Sequence, residues 1–253
     1  MCKINKFLIS IIFVFLYIFN IQTVGIVNIE NLREHLNDKT YYQQFSLNLN
    51  FLSGETDKKQ IDLNYRFDIS KKRNDYFLIV SKTYAKTLNQ VSQDNHFLHL
   101  RAIHNTSPKY AFELYLQVQQ DAFIELENRF LFGTGLRTCL KKSNHISAYL
   151  GNSLLNEYEQ FKSYQSNNIS RFSHYISMRY QINNTTLYVS TSYFQHAISN
   201  FSDYRLLTVQ HIKVKLSQAL SLFVAFEWRY DNDPFVNESK YNVSLKQGLK
   251  LQF

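Results

Sequence analysis

Tyr241 to Phe253 reads YNVSLKQGLKLQF, and its odd positions Tyr241, Val243, Leu245, Leu249, Leu251 and Phe253 are apolar, with Gln247 the one exception. The even positions are Asn242, Ser244, Lys246, Gly248, Lys250 and Gln252. Successive side chains of a strand point to opposite faces, so this stretch is a strand with one oily face and one wet face. A tilted strand of about 9–11 residues crosses the hydrocarbon core of a bilayer, and this run is long enough.

The same period of two recurs upstream. Phe45, Leu47, Leu49 and Phe51 alternate with Gln44, Ser46, Asn48 and Asn50, and Ile61, Leu63, Tyr65 and Phe67 with Asp62, Asn64, Arg66 and Asp68. Further runs are expected at Tyr76 to Thr87, His96 to His104, Tyr110 to Gln119, Asn128 to Leu140 and His145 to Asn156. Arg171 to Ile182, Thr185 to Gln195, Asp203 to Leu216 and Leu220 to Asp231 complete the set before the last strand. The third run has no settled facing, because Phe77 and Ile79 compete with Leu78 and Val80. Asn183-Asn184 suits a two-residue hairpin turn. Connections after even-numbered runs are short, and those after odd-numbered runs tend to be longer, notably Glu157 to Asn168 and Asn232 to Lys240. An even count with loops that alternate in length is the pattern of bacterial outer-membrane barrels. Ten or fourteen strands are also compatible with the runs. Tyr41, Tyr42, Phe51, Tyr110, Tyr180, Phe194, Tyr230, Tyr241 and Phe253 fall near strand ends, where interfacial aromatic girdles lie.

Composition agrees. The chain has 253 residues, 21 Phe and 18 Tyr, but 6 Gly and 2 Pro, so it is neither disordered nor glycine-rich. A mean hydropathy of −0.31 excludes a helical membrane protein. Lys3 and Lys6 precede an apolar run from Phe7 to Phe19, and Thr23 and Gly25 suit cleavage after Gly25. Residues 1–25 thus read as a signal peptide, which implies export. An uncleaved anchor is the alternative, but the apolar run is short for a span. Removing Lys3 and Lys6 leaves 26 basic against 20 acidic residues. Cys139 then stands alone, which excludes an intramolecular disulfide or a cysteine metal cluster. Residues 26–40 read as a periplasmic leader or short helix, with Ile26, Ile29 and Leu36 at helical spacing. Residues 41–253 read as the barrel.

Several short matches, in order, resemble the bacterial salt-induced outer membrane protein family. They are Val27 to Arg33, Phe97 to Arg101, Arg129 to Gly135 with Arg137, Tyr149-Leu150-Gly151, Glu157-Tyr158-Glu159, Phe201 to Leu207, and Gly248 to Phe253. The resemblance implies an outer-membrane β-barrel. In addition, Lys246, Gly248, Leu251 and Phe253 resemble the C-terminal assembly signal of such barrels, which makes Gly248, Leu251 and Phe253 its candidate residues and the barrel-assembly machinery a partner.

No hydrolase elbow, zinc-protease or phosphate-loop motif is present. His174, on the oily face beside several serines, is the one residue that invites a membrane-embedded lipid hydrolase or acyltransferase, the rival class. His99 faces opposite to His96 and His104, and the latter two lie roughly 26 Å apart along a strand, so the three cannot hold a metal. The informative set is charged and on the wet face: Asp62, Arg66, Asp68, Arg101, Glu113, Arg129, Arg137, Arg171, Arg179, Arg205, Glu227, Arg229, Lys246 and Lys250. Charge is costly against lipid, so these belong to the lumen. Two readings of that lumen stay open: an anion-biased pore that admits small anionic solutes, or a lumen plugged by charge pairs. The sequence thus predicts an all-β protein: a closed antiparallel transmembrane β-barrel of about twelve strands with an N-terminal signal peptide. It predicts no enzyme activity, no cofactor, no metal and no nucleic acid, and contact with outer-membrane lipid in a Gram-negative bacterium.

Overall fold

A computed structural model describes residues 40–54, 57–122, 125–163, 166–218, 220–234 and 239–251. The signal peptide, nearly all of the leader, and Phe253 lie outside them. The described residues form twelve strands: β1 (Tyr41–Leu52), β2 (Lys58–Lys71), β3 (Asn74–Thr87), β4 (Gln90–Asn105), β5 (Tyr110–Asp121) and β6 (Leu126–Lys142). β7 (Ile146–Phe161), β8 (Asn167–Gln181), β9 (Thr186–Ala197), β10 (Tyr204–Lys215), β11 (Leu220–Asp231) and β12 (Tyr241–Leu251) follow. They make one sheet in sequence order, and each strand is antiparallel to the next. Among the described residues β1 pairs with β2 and β12 with β11, so the ring expected from the sequence appears as an open ladder. The register that would close it is not among those residues.

The two faces are inverted relative to a water-soluble protein. Asp68 is 0% exposed and Arg171 1%, while Phe45 is 64% and Leu245 69% exposed. A single sheet can bury charge this deeply only by curling round so that one face looks at itself. The contacts show the curl, since Arg205 on β10 reaches Glu157 on β7 across two intervening strands. The apolar residues left outside need a non-aqueous solvent, and a lipid band supplies it.

Strand three, ambiguous in sequence, is settled by its neighbours. Phe77 and Ile79 are buried on the inner face beside Arg66, Asp68, His99 and Arg101, and Leu78 and Val80 point out. Inner apolar side chains gather in small clusters: Phe77 with Ile103 and Ala111, and Tyr175 with Tyr193, Leu207 and Val209.

Three connections differ from expectation. β7 runs to Phe161 and β8 begins at Asn167, which takes Glu157 and Glu159 out of the expected loop and places them on a strand. NEYEQF looks like a loop because its inward positions carry carboxylates. Between β8 and β9 the connection is Ile182 to Thr185, not a two-residue turn. There the Asn183 Oδ1 accepts from the Thr185 and Thr186 backbone amides at 2.9 Å each, alongside a backbone bond from the Ile182 amide to the Thr186 carbonyl at 2.9 Å.

The third difference is the β3–β4 connection. It is a tight turn of Leu88 and Asn89, with φ of 50° and 63°, and β4 begins well before His96. Two positive φ values are the mark of a type I′ turn, which favours asparagine and glycine. A leucine there carries left-handed strain of about 1–2 kcal/mol. Leu88→Asn is therefore expected to stabilise the barrel by about 1 kcal/mol in denaturant unfolding. No gain would show that the turn is relaxed as it stands.

Candidate functional site

The connections after odd-numbered strands lie at one end of the sheet, designated the outer rim. Side chains from six strands meet on the inner face just below it. Glu157 stands at the centre, 2% exposed. Arg171 donates from Nε to Glu157 Oε2 at 3.1 Å and forks onto Asp203, with Nη1 to Oδ1 at 2.7 Å and Nη2 to Oδ2 at 2.9 Å. Arg205 donates from Nη1 to both Glu157 oxygens at 3.0 and 2.9 Å, and from Nε to Asp231 Oδ2 at 2.9 Å. Arg129 Nε lies 3.0 Å from Glu157 Oε1 and donates to Glu159 Oε1 at 2.6 Å, while its Nη1 donates to Gln119 Oε1 at 3.2 Å.

Position makes this possible. Arg129, Glu157, Glu159, Arg171, Arg205 and Asp231 have the inward parity of their strands, and Asp203 caps the approach to β10. Forked Arg–carboxylate bonds in a dry interior are strong and geometrically exacting. Each ion has lost its water and depends on its partners for charge balance. Three arginines face four carboxylates, so this mouth carries no cationic bias. Of the two lumen readings that the sequence leaves open, the charges at this mouth match the paired one, since Glu157, Glu159, Asp203 and Asp231 answer the arginines.

The other residues expected in the lumen are spread along the interior. Arg101 Nη1 donates to Glu113 Oε2 at 2.7 Å, and its guanidinium lies 4.4 Å from the Tyr115 ring centre. Arg66 pairs with Asp68 on its own strand. Asp62 accepts from Gln60 at 3.0 Å and from Thr83 Oγ1 at 2.9 Å. Arg229 Nε donates to Glu227 Oε1 at 2.5 Å, and Arg137 stacks 3.4 Å over Tyr149. Arg179 follows Ser177 on the inner face of β8 and sits opposite Val189 of β9. The side chains of Lys246 and Lys250 lie outside the description. Gly248 sits opposite Phe223, and Leu251 ends β12.

His174 points outward, and its hydrogen bond goes to Asn152 Oδ1 at 2.8 Å; a serine hydroxyl is not its partner. It belongs to an outward aromatic cluster with Phe172, Phe194 and His196. His99 is inward and buried, away from His96 and His104. Among the described residues no group of three or more His, Cys, Asp or Glu side chains could hold a metal ion.

A family model described as a protein of unknown function, DUF481, matches residues 45–253. The chain belongs to the DUF481 family. Solved structures give this DUF481 chain its architecture. The NanC porin is similar over 84% of the DUF481 chain and 97% of the porin, at 5% identity and a TM-score of 0.51. A bacterial polysaccharide outer membrane secretin is similar over 84% of the DUF481 chain and 89% of the secretin, at 6% identity and a TM-score of 0.50. At such identities the likeness is one of fold, that of outer-membrane β-barrels. No curated protein matches the DUF481 chain significantly.

Proposed function

We propose that this chain is a non-enzymatic outer-membrane barrel whose interior is held shut at its outer mouth by the Glu157 ion network. In this reading the chain is exported by the signal peptide of residues 1–25 and assembled into the outer membrane of a Gram-negative bacterium. Pairing of β12 with β1 closes the ring and removes both free edges. Membership of the salt-induced outer membrane protein family, which the sequence resembles, is part of the same proposal.

The observation that carries it is burial. An open porin lumen leaves its lining wet, but Arg129, Glu157, Arg171 and Arg205 are all buried and bonded to one another across the interior. A hydrated ion entering from the outer rim would have to break charge-assisted bonds that have no water to replace them. Buried pairs are also poorly screened, so added salt does not loosen them as it would a surface pair.

Single-channel recording in planar bilayers tests the proposal. The wild-type chain is expected to stay silent at moderate voltage, and liposomes carrying it are expected to stay tight to small solutes. Stable conductance steps of porin size would overturn it.

A further inference from the structure

At the end of the sheet opposite the outer rim, three adjacent connections are basic. They carry Lys71, Lys72 and Arg73 between β2 and β3, Lys109 just before β5, and Lys141 and Lys142 at the end of β6. All six side chains are exposed. Backbone bonds tie the turns into one arc: the Asn105 amide donates to the Arg73 carbonyl at 2.7 Å, and the Cys139 amide to the Lys109 carbonyl at 2.7 Å. Across residues 70–75, 105–110 and 140–146 the one carboxylate is Asp75. It already accepts from Ser70 Oγ at 2.7 Å and from Asn105 Nδ2 at 3.0 Å.

Six cations against one carboxylate leave the arc at a net +5, with the histidine neutral. The other two connections at this end, Ile182 to Thr185 and Leu216 to Ala219, contain no charged residue. The charge is thus confined to the β2–β7 side. Like charges on neighbouring turns repel one another, so an anion from outside the chain would relieve them.

The level of the arc selects which anion. Lys71 continues the outward parity of Ile69, and Lys141 shares the outward face of Ala148, its partner on β7. Lys109 Nζ lies 5.5 Å from the ring centre of Tyr110, an exposed outward aromatic, and exposed Tyr76 and Leu140 flank the same turns. The cations therefore begin where the outward apolar band ends. Lipid headgroups lie at that level, where a lysine stem rests on apolar surface and its ammonium reaches the phosphates. A soluble acidic partner would need no such continuity with an oily face. We propose that this arc binds the phosphates of anionic phospholipids, with Lys71, Lys109 and Lys141 as the contact residues. The inference rests on the outer-membrane reading, which puts the arc at the periplasmic leaflet.

The test offers the full chain, folded in detergent, equal amounts of phosphatidylglycerol and phosphatidylcholine with the same acyl chains. One lysine near a membrane surface gives roughly a fivefold preference for anionic lipid. Native mass spectrometry is expected to show phosphatidylglycerol retained over phosphatidylcholine by about tenfold or more, and less so as salt rises. Lys71→Ser, Lys109→Ser and Lys141→Ser together are expected to bring the ratio to about one. Lys59→Ser, Lys86→Ser and Lys240→Ser remove the same charge at the outer rim and are expected to leave it unchanged. Should the first triple variant lack the heat-modifiable gel shift of a folded barrel, Lys141→Ser alone is expected to lower the ratio about fivefold. Equal retention of the two lipids by the wild-type chain, or an equal loss in both triple variants, would overturn the site. Poly-glutamate binding that the first triple variant abolishes, with no lipid preference, would assign the arc to an acidic protein and overturn it too. A folded, silent barrel without lipid preference counts against this inference alone, whereas a chain that never gains the heat-modifiable form counts against the barrel reading.

Discussion

Glu157→Gln is expected to open the barrel. The amide keeps the shape of the carboxylate but removes the charge to which Arg129, Arg171 and Arg205 all point. Three guanidiniums then face Glu159, Asp203 and Asp231, each of which already has a partner. Removing one member of a buried ion network strands the others and costs about 3–5 kcal/mol. Hydration is the cheapest relief, so water enters at the outer rim. Two measurements follow: denaturant unfolding should lose about that amount, and planar bilayers that are silent with the wild-type chain should show discrete openings. Arg205→Gln in the same background should restore part of the lost stability, because it removes one of the orphaned charges. A Glu157→Gln protein as stable and as silent as wild type would mean the network neither holds the fold nor seals it.

This network was the part of the molecule least visible in the sequence, and the reason is physical. Alternation reveals a strand when one face is apolar and the other polar, and Phe45 to Phe51 or Phe112 to Val118 show it at once. At Asn156 to Gln160 the outward positions are Asn156, Tyr158 and Gln160, hardly less polar than the inward Glu157 and Glu159. Period two is present there, but the contrast that would display it is missing. Near the rim the outward face leaves the hydrocarbon, so nothing obliges it to be oily. The inward arginines were legible because charge is forbidden against lipid; the carboxylates that answer them were not, since Asp203 lies just before β10 and Asp231 ends β11, where a loop reading is equally natural. Strand three failed in the opposite way. Phe77 and Ile79 are apolar on the inner face, and only pairing with β2 and β4 decides which way they point. His99 could be given a face from parity alone, but its bond to Gln117 needed the distances.

Gly151 is the position where a single added carbon does most harm. It lies on the inner face of β7 directly opposite Tyr175 of β8, and that ring folds over the bare Cα. A Cβ built there would lie far inside contact distance of Tyr175 Cε1 and Cζ, so the ring must shift. The arrangement recurs at Gly133 beneath Tyr115, and the repetition shows a way of seating two large rings inside a narrow interior. Tyr175 is not free to move: its ring centre lies 5.2 Å from that of Tyr193, and both belong to the buried cluster with Leu207 and Val209. Valine suits a strand by propensity, and Gly151→Val would be stabilising if only the backbone mattered. Packing outweighs it. Overfilling a core costs about 1–3 kcal/mol, and the clash with a ring that has no alternative place puts this variant near 3 kcal/mol. Unfolding in detergent should show that loss, together with slower recovery of the heat-modifiable form on refolding. Tyr175→Ala vacates the space the new side chain needs, so in the double variant the Gly151→Val penalty should shrink by at least half. If Gly151→Val unfolds at the wild-type midpoint, the ring is not seated on the glycine and the interior is looser than its burial implies.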